Sequence, residues 1–233
     1  MRQIILFYQS SIGKKYVVAI TGVMLFLFVV GHVTGNFKTF FGYGENGIHH
    51  LDEYAHFLRT ILSKVFGEAG FLWLARIGLI FALILHVATV IQLQAMNRKA
   101  RPIKYKGANY HYSSFAARSM MIGGIVILIF VILHILHLTV GTIHPNFEEG
   151  KVYSNVYYAF SKPWVSGLYT LAMVFLGMHL YHGLWSLFQT LGLDTPDWNS
   201  TLLLVAKVLA VGIAVGFVVV PLSITFGFLP APS

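Results

Sequence analysis

Imidazoles are the side chains of this chain best placed to do chemistry, and six of its eleven histidines stand in stretches that are otherwise apolar: His32, His86, His134, His137, His179 and His182. An ionisable group in such a stretch is costly, so it normally faces a bundle interior, finds a partner and marks a path for ions, protons or electrons. Neutral imidazole is also the commonest metal ligand among side chains. The spacing separates the six. His134/His137 and His179/His182 are i, i+3 pairs that share a helix face, whereas His32 and His86 stand singly in their segments. A lone buried histidine is more often a hydrogen-bonded interhelical residue or a proton relay than a ligand. Several of them distributed over several segments argue for ligation.

The elements that must position them are apolar spans. The 233 residues are 57% hydrophobic and 10% charged, with a mean hydropathy of +0.72, which is an integral membrane composition rather than a globular one. Spans are expected over residues 16–35, 71–96, 118–141, 164–191 and 201–228, each near or above the roughly 20 residues needed to cross a bilayer. The first is long enough to remain as an anchor, and the residues before it lack the small-residue cleavage site of a signal peptide. Nine basic residues (Arg2, Lys14, Lys15, Arg98, Lys99, Arg101, Lys104, Lys106 and Arg118) flank one side, against Lys38, Arg59, Lys64, Lys151 and Lys162 on the other. The positive-inside rule then predicts a cytoplasmic N-terminus and, after five crossings, a C-terminus outside. The expected fold is an all-α integral membrane protein, a single transmembrane domain over residues 1–233.

Depth follows from helical rise. His32 lies three residues from the outer end of the first span and His134 seven from that of the third, roughly 5–10 Å below the surface. His86 and His179 each lie fifteen residues beyond the outer start of their spans, about 22 Å down. The chain therefore offers two pairs of imidazoles at two levels. A haem needs one histidine on each side of its iron, from different helices, and each level can supply that. The expected iron–iron separation is on the order of 12–17 Å, short enough for electron transfer. With both axial positions filled, neither iron has a vacancy for substrate, so such haems carry electrons. Depth does not choose between His134 and His137, or between His179 and His182; the member of each pair that does not ligate would hydrogen-bond a propionate, a quinone or a carbonyl.

Other chemistry is excluded. With no cysteine, thiolate-ligated iron–sulfur clusters, c-type haem attachment and disulfides cannot form in this chain. The net charge of +8 lies at span ends and not in a clustered stripe, so nucleic acid is not an expected partner. Propionates want cations: Arg76, buried five residues inside the second span, is the candidate at the outer level, with interfacial snorkelling as its alternative role. Arg118, Ser186, Gln189 and Thr190 are the candidates at the inner level. Gly22, Gly31, Gly35, Gly78, Gly123, Gly124, Gly177 and Gly183 are expected to let helices approach, or to make room for a ring. In the long connection 36–70, Leu51, Tyr54, Ala55, Leu58, Leu62, Val65 and Phe66 recur at helical spacing, predicting one amphipathic surface helix with Asp52, Glu53, His56, Arg59 and Lys64 on its polar face.

The segments Ser10-Ser11-Ile12-Gly13-Lys14-Lys15, Gly31-His32-Val33-Thr34-Gly35-Asn36, Leu85-His86, Phe130-Val131-Ile132-Leu133-His134 and His179-Leu180-Tyr181-His182-Gly183-Leu184-Trp185-Ser186 together resemble the di-haem cytochrome b membrane subunit of succinate:quinone oxidoreductases and fumarate reductases. The resemblance covers all five spans. It implies two haem b groups, with His32, His86, His134 and His179 as the iron ligands, His86 pairing with His179 on the cytoplasmic side and His32 with His134 on the outer side. His137 and His182 are left to the surroundings of the haems. It also implies a non-catalytic electron-transfer subunit of a succinate dehydrogenase or fumarate reductase in a bacterial cytoplasmic membrane. The implied partners are a flavoprotein with FAD and an iron–sulfur subunit on the cytoplasmic face, with a quinone, menaquinone by the resemblance, as diffusible carrier. Gly177 and Arg59 stand where some di-haem fumarate reductases carry glutamates for proton return and for the quinone. For a quinone near the outer haem, His49, His50, Glu53 and His56 are candidate proton donors. The competing location is the cytoplasmic end near Ser11 and Lys14. Two other readings are a cytochrome b anchor of another respiratory dehydrogenase or hydrogenase, and a haem-free transporter in which the histidines relay protons.

Overall fold

A computed structural model describes residues 2–100 and 115–232. Arg101, Lys104 and Lys106, counted above for topology, lie outside the described residues, as does the side chain of Arg118. Among the described residues there is no strand, only an isolated bridge between Tyr43 and His49. Helices run over α1 Arg2–Gln9, α2 Ser11–Asn36, α3 His50–Thr60, α4 Ser63–Phe66, α5 Gly70–Ala100, α6 Phe115–His134, α7 Val152–Phe160, α8 Pro163–Thr190 and α9 Asn199–Thr225. Five of these, with the turns that extend α2 to Phe41 and α6 to Thr139, are long and apolar enough to cross a membrane. That is the architecture of a multi-pass membrane protein.

The spans differ from the sequence reading at their ends, for local reasons. α2 starts at Ser11 because Ser10 caps it, its hydroxyl accepting from the Gly13 backbone N–H at 2.9 Å and donating to the Phe7 carbonyl at 2.6 Å. The α1–α2 joint is so close that a Cβ on Gly13 would stand 1.9 Å from the Phe7 oxygen, so only glycine fits there. α5 is about 46 Å long, well beyond the hydrocarbon thickness, and carries Arg98 and Lys99 past the apolar part. α8 begins on Pro163, whose fixed φ and missing N–H suit a first turn.

The third span is not uniform. After His134 the backbone widens into a π-helical segment, Ile135–Thr139, closed by a 2.9 Å bond from the Val140 N–H to the Ile135 carbonyl. Such segments re-aim side chains. The amphipathic helix expected in 36–70 is instead two, α3 and α4, broken at Leu62, which takes left-handed backbone at φ 56°. Its expected apolar face is also only partly buried: Leu51 is covered, whereas Leu62, Val65 and Phe66 are exposed. Asp52 is not on a solvated face, since its Oδ1 accepts from the Tyr153 N–H of α7 at 2.9 Å.

α3, α4, α7, the C-terminal Pro230 and the adjoining ends of the spans meet at one end of the bundle, here the capped end. α1 and the ends of α5 and α8 form the other. Two apolar clusters hold the interior: Ala159, Phe160, Val165, Tyr169, Val220 and Ile224 near the capped end, and Leu180, Ala210 and Ile213 along α8–α9. α8 packs closely on α9 and on α6, and α5 packs chiefly on α2, whereas α2 and α6, and likewise α5 and α8, hardly touch through their backbones. Small residues make some close approaches: a Cβ on Gly216 would meet Val33 Cγ2 at 2.8 Å, one on Gly35 would meet Tyr54 at 2.8 Å, and one on Gly177 would meet Ala214 at 3.2 Å. Gly31, Gly78 and Gly183 face open space, so close helix contact does not explain them. Much of the remaining surface is exposed Ile, Leu, Val and Phe, as lipid contact demands.

Candidate functional site

The helix pairs that hardly touch are the ones whose histidines face each other. His32 of α2 and His134 of α6 have ring centres 5.8 Å apart, and His86 of α5 and His179 of α8 have theirs 6.5 Å apart. About 16 Å of helical rise separates Thr21, which touches His86, from His32. The structure thus brings together the four histidines in the two depth-matched pairs.

Two imidazoles coordinating one metal from opposite sides have ring centres ~6.2 Å apart, from a ~2 Å metal–nitrogen bond and ~1.1 Å from nitrogen to ring centre on each side. Both observed separations lie close to that value. The angle between the ring planes is free in such an arrangement, because each plane needs only to contain the bond axis; it is 75° in one pair and 59° in the other. The Nδ1 atoms of His134 and His179 are buried without a hydrogen-bond partner, and the residues present fit two axial pairs. Beside His179 there is only a shallow surface dimple, lined by Ser119, Met120, Gly123, Phe175 and Met178. It is smaller than a porphyrin, so a macrocycle at this level would also occupy the seam between the α2–α5 and α6–α8 pairs.

The surroundings of the two pairs are unlike. His32 stacks on Phe28 and lies against Phe217, and His134 stacks on Phe130 and lies edge-on to Tyr169. The other pair is bounded by small and hydroxylated residues. A Cβ on Gly22 would meet the His86 ring at 3.6 Å, one on Gly124 would meet His179 at 3.8 Å, and the Thr21 hydroxyl lies 3.0 Å from His86 Nδ1.

The i, i+3 partners part company. The rings of His134 and His137 both lie against Tyr169, but only His137 is bonded to it, its Nδ1 3.0 Å from the Tyr169 hydroxyl and its ring against His144 at 5.0 Å. His144 is itself buried, its Nε2–H donating to the Asn155 carbonyl at 2.9 Å while Nδ1 accepts from the Asn146 N–H. On the regular helix α8, His182 lies one turn beyond His179 and is half-buried.

Among the other sequence candidates, Arg76 places its guanidinium over the Trp73 ring at 5.0 Å, a cation–π contact. Ser186 is exposed, Gln189 donates to Asp194 at 3.3 Å, and Thr190 donates back to the Ser186 carbonyl. At the capped end His50 pairs with Glu53 at 2.8 Å. The Glu53 carboxyl is held below its usual range, first by the Asn46 amide and then by His50. His56 is exposed. His49 is 2% exposed, caps α3 by accepting from the Leu51 N–H, and stacks on Tyr153 at 3.6 Å. Burial lowers its pKa, and burial pushes the Tyr153 hydroxyl up to about 12.

Sequence reasoning missed Thr21, Tyr169, His144, Asn155 and a polar knot at the uncapped end. There Lys14, 6% exposed, donates to Gln92 at 2.5 Å and lies over the Tyr8 ring, while the Tyr8 hydroxyl reaches Gln92 and Thr89. Ser11, the other candidate at that end, is exposed. The signal for Thr21 was available in principle, a hydroxyl in a span with no polar neighbour in sequence, but its use depends on which helix lies alongside. No group of three or more metal-ligating side chains converges among the described residues. Comparison with protein-family models, with curated proteins and with solved structures finds no match to this chain.

Proposed function

We propose that this chain is the membrane cytochrome b subunit of a succinate dehydrogenase or fumarate reductase complex, inserted in a bacterial cytoplasmic membrane with its uncapped end in the cytoplasm. His32 with His134 would hold an outer haem b and His86 with His179 an inner one. Bound there, the two haems would supply one-electron transfer between an iron–sulfur subunit, itself fed by an FAD flavoprotein, and a quinone. The observation that carries the reading is the pair of imidazole separations near the axial value, each spanning helices that do not otherwise pack. The separation of the two levels suits electron transfer, and the enzyme's chemistry on succinate or fumarate belongs to the partner subunit.

The chain's own residues have definable parts in this scheme. The aromatic rings around His32 and His134 keep that level dry, and the basic residues of the uncapped end favour an acidic partner on that face. His137, bonded to Tyr169, is occupied away from His32, which supports His134 as the outer ligand. His179 in turn faces His86 and has no competing bond at Nδ1. The test is a reduced-minus-oxidised spectrum with haem quantification on the purified complex: two b-type haems per chain are expected, and a colourless preparation refutes the proposal. The Tyr169–His137 bond also favours a second reading, a haem-free proton relay, and the same spectrum separates the two.

A further inference from the structure

The inference concerns how the inner pair is oriented, and it rests on the haem reading above. Thr21 is buried in α2 opposite α5, and its hydroxyl has one hydrogen to give. That hydrogen goes to its own helix: the Val17 carbonyl lies 2.7 Å away, four residues back, with the Val18 carbonyl at 3.2 Å. With the hydroxyl hydrogen on the shorter contact, to the Val17 carbonyl, the Thr21 oxygen is the acceptor toward His86 and the 3.0 Å contact takes its hydrogen from His86 Nδ1. A neutral imidazole with its hydrogen on Nδ1 carries its lone pair on Nε2. The ring so held faces His179 across the seam between α5 and α8.

We propose that Thr21 is the positioning residue of the inner site: it locks His86 in the tautomer that presents Nε2 as a ligand, and it holds the ring in rotation. The neighbouring Gly22 lies beside the ring, where a Cβ would meet it at an ordinary contact distance of 3.6 Å, so the hydroxyl and not the glycine fixes the imidazole. The outer pair has no counterpart, since His134 Nδ1 is buried with no acceptor. A hydrogen bond from the far nitrogen of a metal-bound imidazole raises its donor strength. Stronger donation favours ferric over ferrous iron, so the bond holds the inner haem at a lower reduction potential than it would otherwise have.

Thr21→Val keeps the shape and removes the acceptor, and Thr21→Ser keeps the acceptor. Redox titration of the purified complex, with the inner haem identified as the one lost in His86→Ala, should show a positive shift of that haem alone in Thr21→Val. The outer potential and two haems per chain should be retained, and Thr21→Ser should sit at the wild-type value. The low-spin ferric signal of the inner haem should broaden in the Val variant as the ring gains rotational freedom. Unchanged potentials in Thr21→Val, equal shifts at both haems, or a shift that Thr21→Ser does not reverse would each overturn the proposal. If Thr21→Val does not accumulate, Thr21→Ala compared with Thr21→Ser in the same titration decides it. Absence of haem from the wild type sinks the functional reading instead, so the two failures are told apart.

Discussion

The two histidine pairs are built from the same residue type at similar spacing, yet their settings differ. The pair near the capped end sits among Phe28, Phe130, Tyr169 and Phe217, with no polar group bonded to either ring. The deeper pair has glycines at its flanks and a hydroxyl tied to one imidazole. The connections do not explain this, because all four rings come from the spans themselves: Phe28 from α2, Phe130 from α6, Tyr169 from α8 and Phe217 from α9. The contrast is set by which residues α2, α6, α8 and α9 present at one level and which α2, α5 and α6 present at the other. One fold thus offers two similar histidine pairs with different dielectric and hydrogen-bonding surroundings, and redox centres held by them, as proposed, would acquire different potentials.

The sharpest way to break the comparison is to remove ligands one at a time. His134→Ala or His32→Ala should abolish only the outer haem, and His86→Ala or His179→Ala only the inner one, each halving the haem-to-protein ratio. His137→Ala and His182→Ala should leave both. If His137→Ala loses the outer haem and His134→Ala does not, the assignment of that level is wrong. Next in size is the packing that sets the outer level. Gly216→Ala would push a methyl into Val33, one residue from His32, and overpacking of this kind should cost about 1–3 kcal/mol in thermal or denaturant unfolding of the detergent-solubilised protein. Gly78→Ala, which meets open space, is the control and should be neutral or slightly stabilising.

Smaller effects sharpen the contrast. Tyr169→Phe removes the hydroxyl from His137 and should cost about 1 kcal/mol of stability while leaving haem content untouched. An effect on the outer haem's spectrum as large as that of His134→Ala would mean that His137 ligates. The smallest is a pH dependence confined to the capped end. His49 is buried with Asp52, His50, Tyr43 and Tyr153 around it, and burial depresses its pKa. The unfolded chain takes up a proton near pH 6.5 that the folded one resists, so stability is present above about pH 6.5 and falls as acid drives the pH toward the folded value. Melting curves between about pH 5 and 8 should show that slope, and His49→Asn, which can still cap α3 but does not titrate, should flatten it.

How much of this was legible in the sequence follows from the physics of each signal. Five long apolar segments and the depths of His32, His86, His134 and His179 could be read because a helix converts residue number into distance. α1 and α7 were not anticipated: eight and nine residues give too little periodicity to stand out. The break at Leu62 was invisible because a leucine in left-handed backbone carries no turn residue to announce it. The widened turn after His134 has no sequence signature either. Thr21 and the Lys14–Gln92–Tyr8 knot depend on the register of α2 against α5, which is a tertiary fact.

The bundle consists of two sets of helices, α2 with α5 and α6 with α8 and α9, that meet mainly through α2 and leave a seam at both histidine levels. The halves are joined by α2 against α8 and α9 and by α3 against α7, so the seam is where a bound group would add cohesion. On the proposed reading, loading and maturation would be one event, and cells starved of iron porphyrin should clear the chain by proteolysis instead of storing it empty.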